Sequence, residues 1–340
     1  MPEIRRSGPK SSPCIMCRRD ERARVSAGMI KKAHNVAVLM GGPSSEREIS
    51  LVSGRAVANA LKGRGFEVTE VDLDIKAYST LMRMRPDVVF IALHGRPGED
   101  GTVQGMLEVM DLPYTGSDVL GSALAIDKAR SREFLAGHGI RMPRATLLST
   151  VEELPRAMHE LEEQDVKPPL IVKPTQAGSS VGLSRVMEED ALEEAVEEAL
   201  RYSPQALVEE CLPGPEVTIS IIGNGKPIVL PTIEIISEKG IYDYEAKYTP
   251  GMSHHIIPPD IDPERVREAE EMAFRAYRLM GLKGCGRGEV MFDSEMKPHF
   301  LEFNTIPGMT EVSLLPDAAR AAGIEFGELC ERLIEYSFDR

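Results

Sequence analysis

Short apolar runs alternate with a helix-patterned segment in the first third of the chain, and this alternation constrains the fold more than any other feature. NVAVLM (35–40) and PDVVFIAL (86–93) read as buried strands, and residues 66–72 alternate in polarity as a strand does. Ser44 and Ser45 precede apolar positions at helical spacing, so we expect a helix capped there. Strands that alternate with helices form parallel sheets with helices on their faces. The sequence therefore predicts an α/β domain.

Two polar loops follow the first and the last of these strands. GGPSSERE begins at Gly41, and HGRPGEDG begins at His94. Ligands of parallel α/β sheets gather at the carboxyl ends of the strands. We therefore expect both loops to line a ligand site, although a lone histidine in such a place is more often structural than catalytic.

The rest of the chain mixes helices and strands. A helix capped by Ser122 is expected, and residues 170–186 read as strand, loop and strand. Asp190 and Glu193 match a capping box for another helix, and a further helix is predicted from about residue 263 to 280. This pattern predicts α+β units after the first domain.

Length and composition restrict the class of protein. The 340 residues are enough for two or three domains. The net charge of −14 argues against a nucleic-acid partner, which would favour a basic excess. No apolar stretch approaches the roughly 18 residues that cross a bilayer, so no membrane partner is expected. The scattered cysteines beyond the first 33 residues favour a reducing cytoplasm.

Residues 1–33 differ from the remainder in being basic. They contain no apolar core of a secretory signal, so we interpret them as a disordered leader or as translation assigned too early, with Met29 as the start. Cys14 and Cys17 could form half of a zinc site, but no second pair follows.

The stretch KPTQAGSSVG (173–182) has the composition of a phosphate-binding loop. Lys173 ends a strand instead of following the glycines, and no helix follows Gly182, so the stretch is not a Walker loop. The N–H groups that can cover phosphate oxygens belong to Gly178, Ser179, Ser180 and Gly182. Lys128 could supply a second cation, and a loop between two strands can swing as a lid. The alternative is a flexible turn.

An acidic pair of strands follows near the end of the chain. Glu302 and Asn304 are two residues apart on one strand and therefore share a face, and a hairpin register could place Glu289 opposite them. Two carboxylates about 4 Å apart repel by about 4 kcal/mol at an effective dielectric of about 20. A Mg²⁺ ion would relieve this repulsion and prefers oxygen ligands. The alternative is a solvated acidic face.

Arg287 and Gly308 could together hold a developing oxyanion. A guanidinium and a backbone N–H suit this role, and losing one such donor typically raises the barrier by about 2.7–4 kcal/mol. The sequence therefore indicates a site that combines phosphate, metal and oxyanion binding.

From about Asn35 to the end, the chain resembles the D-alanine–D-alanine ligases of the ATP-grasp superfamily. The motifs that carry the resemblance are GGPSSEREISL, IALHGRPGEDGTVQG, LPYTGS, DKARSR, IVKPTQAGSSVG, GPEVTI, YDYEAKY, GCGRGEV and LEFNTIPGMTEVSLLP. The resemblance implies an α/β (α+β ATP-grasp) fold. Its N-terminal domain, with a parallel βαβ sheet, would span residues 34–116, and two α+β subdomains, 117–212 and 213–340, would clamp ATP.

The resemblance also implies a reaction for peptidoglycan precursor synthesis. ATP phosphorylates the carboxylate of one D-alanine, and the amine of a second D-alanine attacks the acylphosphate. Two Mg²⁺ or Mn²⁺ ions would assist, and a homodimer through the first domain is expected.

Site roles follow from the resemblance, residue by residue. Glu46 would meet the first ammonium in a network with Ser179 and Tyr248, and His94 would lie near that subsite. Arg287 and Gly308 would bind the oxyanion, and Ser313 would hold the second carboxylate. Residues that would contact ATP are Lys128, Lys173, Ser179, Ser180, Lys247, Glu209, Glu210, Leu212 and Glu216. The metal ligands would be Glu289, Glu302 and Asn304.

Three positions depart from the family pattern, and two alternatives stay open. Glu289 stands where aspartate is common, and Gln176 with Ala177 stands where a charged pair is common. One alternative is a ligase that joins D-alanine to D-lactate or D-serine. Tyr248 argues against D-lactate as the second substrate. The other is a catalytically inactive ATP-grasp nucleotide-binding protein.

Overall fold

The computed structural model describes residues 33–178, 181–237, 253–310 and 313–339. Its first unit is a parallel sheet with the strand order β2-β1-β3. The strands are β1 (Asn35–Met40), β2 (Glu67–Asp72) and β3 (Val88–Ile91). The helices are α1 (Arg47–Gly63), α2 (Ala77–Met84) and α3 (Thr102–Val109). The predicted parallel α/β unit is confirmed, and no helix in these ranges is long and apolar enough to cross a bilayer.

Alternate residues of β1 supply two hydrophobic cores. Val36, Val38 and Met40 face a core shared with α1, whereas Ala37 and Leu39 face the core under α2 and α3. Strands β1 and β3 are buried on both faces and therefore read as continuous apolar runs in the sequence, whereas β2 is mostly exposed.

Helix α1 begins later than its serines suggest. Glu46 occupies the N-cap position, without a capping hydrogen bond from its side chain. The Ser44 Oγ instead accepts a hydrogen bond from the Glu46 N–H at 3.0 Å, which closes the turn before the helix. The prediction of a serine cap was therefore wrong, and the Glu46 side chain lies at the carboxyl edge of the sheet, close to Gly95.

The helix predicted behind Ser122 is two helices. They are α4 (Val119–Ile126) and α5 (Lys128–Gly137). Asp118 caps α4 by accepting a bond from the Gly121 N–H, and Asp127 caps α5 by accepting one from the Arg130 N–H, each at 3.0 Å. Ser122 is buried inside α4, so its predicted capping role was wrong. The break at Asp127 places Lys128 at the start of α5.

A four-stranded antiparallel sheet with the order β4-β7-β5-β6 follows. Its strands are β4 (Ala145–Leu148), β5 (Leu170–Pro174), β6 (Ser184–Val186) and β7 (Ala206–Glu210). Helices α6 (Leu154–Glu163) and α7 (Leu192–Leu200) share its apolar core. The strand–loop–strand prediction for 170–186 is confirmed. The capping box was wrong, because Asp190 lies in a 3₁₀ turn and α7 has no side-chain cap.

The largest sheet has the order β11-β10-β8-β12-β13, and β9 pairs with β8. Its strands are β8 (Glu216–Ile222), β9 (Ile228–Val229), β10 (Ile233–Ser237), β11 (Ser253–Ile256), β12 (Cys285–Phe292) and β13 (Pro298–Asn304). The helices of this region are α8 (Pro263–Leu279), α9 (Leu314–Ala321) and α10 (Phe326–Ser337). Helix α8 packs on this sheet, whereas α9 and α10 return to the first sheet.

Helices α4 and α5 also pack on this largest sheet, through Ala125 and Leu135. The sequence grouped them with the central subdomain at 117–212. Near them, the Lys283 ammonium pairs with Asp118 at 2.8 Å, and a side-chain carbon at Gly284 would lie 2.9 Å from the Gly116 nitrogen. Gly284 has a φ of +71°, which other residues rarely adopt. Two backbone segments therefore cross there without room for a side chain.

Candidate active site

A cavity of about 320 Å³ lies between the four-stranded sheet and the largest sheet. Its apolar lining includes Ile171, Val181, Leu212, Met291 and Leu301. Its charged lining includes Lys128, Lys173, Glu209, Glu210, Glu216, Glu289 and Glu302. An apolar slot with a cluster of charges suits a nucleotide, whose base needs apolar contacts and whose phosphates need cations. Every described residue that was predicted to contact ATP lines this cavity.

Lys173 forms a buried ion pair inside the cavity. Its Nζ lies 2.5 Å from the Glu209 Oε1, and both residues are less than a tenth exposed. Burial by itself would lower the pKa of Lys173, but the neighbouring Glu209, Glu302 and Glu289 carboxylates outweigh it, so the pKa is raised. The lysine is therefore held charged at the end of β5.

Lys128 contacts both the predicted phosphate-binding loop at 173–182, called the phosphate loop below, and the acidic strands β12 and β13. Its backbone N–H donates to the Thr175 carbonyl at 2.8 Å, and its Nζ donates to the Ala177 carbonyl at 2.7 Å. The same Nζ lies 2.9 Å from the Glu302 Oε2. Because α5 begins here, the first half of the loop is fixed against the helix start.

Gln176 adds a second attachment to the loop. Its Nε2 donates to the Asp127 Oδ2 at 2.8 Å, and its Oε1 accepts from the Arg96 NH1 at 3.5 Å. The uncharged residue at this position therefore contacts both the cap of α5 and the first domain, and a carboxylate there would face Asp127.

The acidic strands pair in the register that brings the carboxylates together. Glu289 on β12 lies opposite Glu302 on β13, and Arg287 lies opposite Asn304. Each carboxylate also has a cation near it, since the Arg287 NH2 lies 2.8 Å from Glu289 and Lys128 lies beside Glu302. The repulsion predicted between the two glutamates is thus already partly relieved by side chains.

The same residues fit a hard divalent cation. The buried Glu302 Oε2 makes an ion pair with Lys128 but has no partner in hydrogen-bond geometry within the described ranges. Two carboxylates and an amide supply the oxygen ligands that Mg²⁺ prefers. No cluster of three or more Cys, His, Asp or Glu side chains arranged for a metal occurs in the part of the chain that the structure describes.

At the edge of the first sheet, the Glu46 carboxylate is enclosed by two loops. A side-chain carbon at Gly95 would lie 3.1 Å from the Glu46 Oε2, and one at Gly178 would lie 3.0 Å from it. A side chain at either position would crowd this oxygen and displace it by a few tenths of an ångström. The phosphate loop therefore reaches from Lys128 to the carboxylate that is predicted to meet an ammonium group.

His94 lies beside this carboxylate and is buried. Its Nε2 is 3.2 Å from the Ser53 Oγ, which accepts a bond from the Met309 N–H at 3.4 Å. Burial lowers the pKa of His94, although the nearby Glu46 carboxylate opposes the shift. A neutral imidazole therefore connects the first domain to the loop that contains Gly308.

Gly308 and Ser313 are neighbours across that loop. A side-chain carbon at Gly308 would lie 2.9 Å from the Ser313 Oγ, and this oxygen accepts a bond from the Thr310 N–H at 3.1 Å. The two residues predicted for the oxyanion and the second carboxylate thus lie together, and the loop joins them to His94.

Comparison with known proteins agrees with this geometry. The family model described as D-ala D-ala ligase C-terminus matches residues 134–335, and the one described as D-ala D-ala ligase N-terminus matches residues 76–117. The D-alanine–D-alanine ligases of Pelotomaculum thermopropionicum and Moorella thermoacetica are each 47% identical to 89% of this chain, over 96% and 99% of their own lengths. The chain belongs to the D-alanine–D-alanine ligase family.

Solved structures of ligases share the fold. The D-alanine–D-alanine ligase from Bacillus anthracis complexed with ATP has a TM-score of 0.78 and 31% identity, covering 90% of this chain and 98% of that one. The VanG D-Ala:D-Ser ligase from Enterococcus faecalis has a TM-score of 0.76 and 31% identity, covering 89% and 98%. The predicted family, enzyme class and fold class of this ligase are confirmed.

Glu99 lies beside the candidate site, and the sequence patterns did not single it out. It is buried, and its Oε2 accepts a bond from the Gly95 N–H at 2.7 Å. A side-chain carbon at Gly178 would lie 3.7 Å from the same oxygen. In HGRPGEDG, Glu99 stands next to Asp100. The Asp100 carboxylate pairs with the Arg96 side chain at 2.8 Å, whereas the Glu99 carboxylate accepts a backbone N–H.

Burial, reinforced by the Glu46 carboxylate, raises the pKa of Glu99 to about 8. The folded protein therefore binds this proton more tightly than the unfolded chain, whose glutamate titrates near 4.5. The free energy of unfolding of the metal-free ligase should fall as the pH rises between these two values.

Glu99→Gln carries no proton to lose, so we expect the variant to lack this decline. Its melting temperature should gain on the parent at pH 8 relative to pH 5, in thermal melts without divalent ions. The same pH dependence in both proteins would show that Glu99 is not a buried protonated acid.

Four predicted site residues, Ser179, Ser180, Lys247 and Tyr248, lie outside the described residues, so their roles stay predictions. The other predicted site residues fall into two groups that the phosphate loop connects. One group surrounds the cavity, and the other surrounds Glu46 and His94.

Proposed function

We propose that this ligase joins two D-alanine molecules into D-alanyl-D-alanine, with ATP converted to ADP and phosphate, to supply a peptidoglycan precursor. The single observation that supports this most is the path of the phosphate loop. Residues 175–178 contact Lys128 at the charged cavity and end against Glu46 at the edge of the first sheet. A phosphoryl donor and an amino-acid acceptor can therefore meet under one loop.

The side chains around the cavity and Glu46 each have a role in the proposed reaction. Lys128 and Lys173 bind the phosphates, and Glu46 binds the ammonium of the first D-alanine, which orients its carboxylate toward the terminal phosphoryl group. The residues from Glu209 to Leu212 contact the adenine, and Glu216 contacts the ribose. Exclusion of water by the loop protects the acylphosphate from hydrolysis.

The second half of the reaction uses the other group. Ser313 holds the carboxylate of the second D-alanine, whose amine attacks the acyl carbon of the acylphosphate. Arg287 and the Gly308 N–H stabilise the oxyanion that develops, and phosphate leaves. Glu289, Glu302 and Asn304 would hold two Mg²⁺ or Mn²⁺ ions, which neutralise phosphate charge when bound.

Product identity tests the proposal. The full chain is incubated with ATP, Mg²⁺ and D-alanine, and products are analysed by mass spectrometry. We expect ADP, phosphate and the dipeptide in equal amounts, and no product with L-alanine. Turnover with L-alanine but not with D-alanine would overturn the proposal, and ATP binding without any turnover would favour the inactive nucleotide-binding alternative.

A D-serine substrate is the second candidate. The observation in its favour is the D-Ala:D-Ser ligase structure, which resembles the chain almost as closely as the Bacillus anthracis enzyme does. The relatives of highest identity given above are D-alanine–D-alanine ligases, which favours D-alanine. Competition of D-alanine with D-serine or D-lactate at neutral pH decides between them.

We also propose that two copies associate through the first domain. Ile75 is 97% exposed, and Tyr78 and Met82, on the outer side of α2, are 51% and 41% exposed. Grouped exposed apolar side chains are typical of interaction sites. Sedimentation velocity should show a dimer that Ile75→Asp weakens, and a parent that stays monomeric at micromolar concentration would contradict this.

Two parts of the proposal concern the whole chain. Domains at 34–116, 117–212 and 213–340 would form the clamp around ATP, with the cavity between the last two. A cytoplasmic location is proposed because Cys211, Cys285 and Cys330 carry free thiols.

A further inference from the structure

The guanidinium of Arg287 is held from two sides within the largest sheet. Its NH1 donates to the Thr218 Oγ1 at 3.0 Å, and its NH2 lies 2.8 Å from the Glu289 Oε1. All three residues are less than a tenth exposed, and Thr218 is only 1% exposed. The contact between threonine and arginine is therefore shielded from water, where a hydrogen bond to a charged group is strong.

Strand register places Thr218 on the face that carries the site. Thr218 on β8 lies opposite Glu289 on β12, while its neighbours Val217 and Ile219 point into the core under α8. Ser220 lies opposite Arg287, but its Oγ has no hydrogen-bond partner within the described ranges. Of these two hydroxyls, Thr218 is the one that contacts the guanidinium.

Thr218 and Glu289 differ in what they can do for Arg287 during the reaction. Glu289 is a proposed metal ligand, so its contact with Arg287 would change if its carboxylate held an ion. The Thr218 hydroxyl is neutral and leaves the positive charge of the guanidinium uncompensated. Its own proton points toward the Gly288 carbonyl at 3.4 Å, so a lone pair faces the arginine.

We infer that Thr218 is a positioning residue that keeps the Arg287 guanidinium aimed at the reacting carbonyl when Glu289 exchanges partners. This inference rests on the proposed function, in which Arg287 stabilises the oxyanion. The interaction of Arg287 with the oxyanion forms only as the tetrahedral intermediate develops, so a loosened Arg287 should affect kcat more than substrate binding.

Thr218→Val is the variant that tests this inference, because valine keeps the shape and the strand preference of threonine but removes the acceptor. We expect kcat for dipeptide formation to fall about 10- to 100-fold, as for loss of a hydrogen bond to a charged group. The KM for ATP should stay within about twofold of the parent value. Thr218→Ser keeps the hydroxyl and should therefore keep a kcat close to that of the parent.

Thr232→Val is the matched control. Thr232 is also buried, and its hydroxyl donates to the Glu270 carboxylate at 2.6 Å, away from Arg287. Loss of that bond should lower the melting temperature but leave kcat unchanged. If Thr218→Val melts below the assay temperature, Thr218→Cys is used in its place. A thiol is only a weak hydrogen-bond acceptor, so we expect the same fall in kcat.

Three results would overturn the inference. The first is a Thr218→Val protein with the kcat of the parent. The second is a change in KM without a change in kcat, and the third is a folded Thr218→Ser protein whose kcat is as low as that of Thr218→Val. Failure of the proposed function looks different, because the parent protein itself would then form no dipeptide from D-alanine.

Discussion

Replacement of Glu302 by glutamine is expected to reduce dipeptide formation by about 10³-fold or more, because the change removes charge at the centre of the proposed phosphoryl-transfer site. Glu302 lies opposite Glu289 in the hairpin and pairs with Lys128 at 2.9 Å. Glutamine has the same shape but is a poor ligand for a divalent cation, and it leaves the Lys128 ammonium without its counter-charge. Steady-state release of phosphate with D-alanine and saturating Mg²⁺ measures the loss.

Binding of Mn²⁺ in the presence of ATP, followed by electron paramagnetic resonance, separates the metal role from a structural one. We expect weaker Mn²⁺ binding in Glu302→Gln and a circular dichroism spectrum like that of the parent. Glu295→Gln is the matched control, since Glu295 is an exposed acid in the turn between β12 and β13 and should affect neither property. Full turnover by Glu302→Gln would remove the metal assignment of this residue.

Replacement of Lys173 by methionine is expected to lower both stability and affinity for ATP. Lys173 and Glu209 form a buried ion pair, and removing one partner of such a pair typically costs about 3–5 kcal/mol because the other charge is left buried. Urea unfolding measures this loss. The same variant lacks a cation that is proposed to bind phosphate, so the KM for ATP should rise at least about tenfold.

A double variant, Lys173→Met with Glu209→Met, separates the two effects. Replacing a buried ion pair by apolar residues of similar size is often neutral or stabilising, so the double variant should recover most of the lost stability. It should not recover affinity for ATP. Recovery of both properties would show that Lys173 has no role beyond neutralising Glu209.

Much of the fold could be predicted from local sequence signals. The strand at 35–40 and the buried strand before His94 follow from apolar runs between polar loops, and β12 and β13 were predicted as two strands joined by a short turn. The facing of Glu289 and Glu302 was predicted only as one of several registers, because a hairpin register depends on turn geometry that the sequence does not fix.

Prediction failed at one local signal and at two tertiary ones. Ser122 looked like a helix cap, but Asp118 and Asp127 cap the two helices instead, each by accepting a backbone N–H three residues later. Glu99 was missed because burial, which raises its pKa, comes from residues distant in sequence. The packing of α4 and α5 on the largest sheet likewise depends on contacts that no periodicity encodes.

The backbone crossing at Gly116 and Gly284 has a practical consequence for saturation mutagenesis. Any substitution at Gly284 combines a φ of +71° with atoms 2.9 Å from the proposed side-chain carbon, so even alanine should be lost from a selected library. Such a depletion profile imitates that of a chemically active position. Assigning roles from fitness maps alone would therefore mistake a steric junction for a member of the reaction centre.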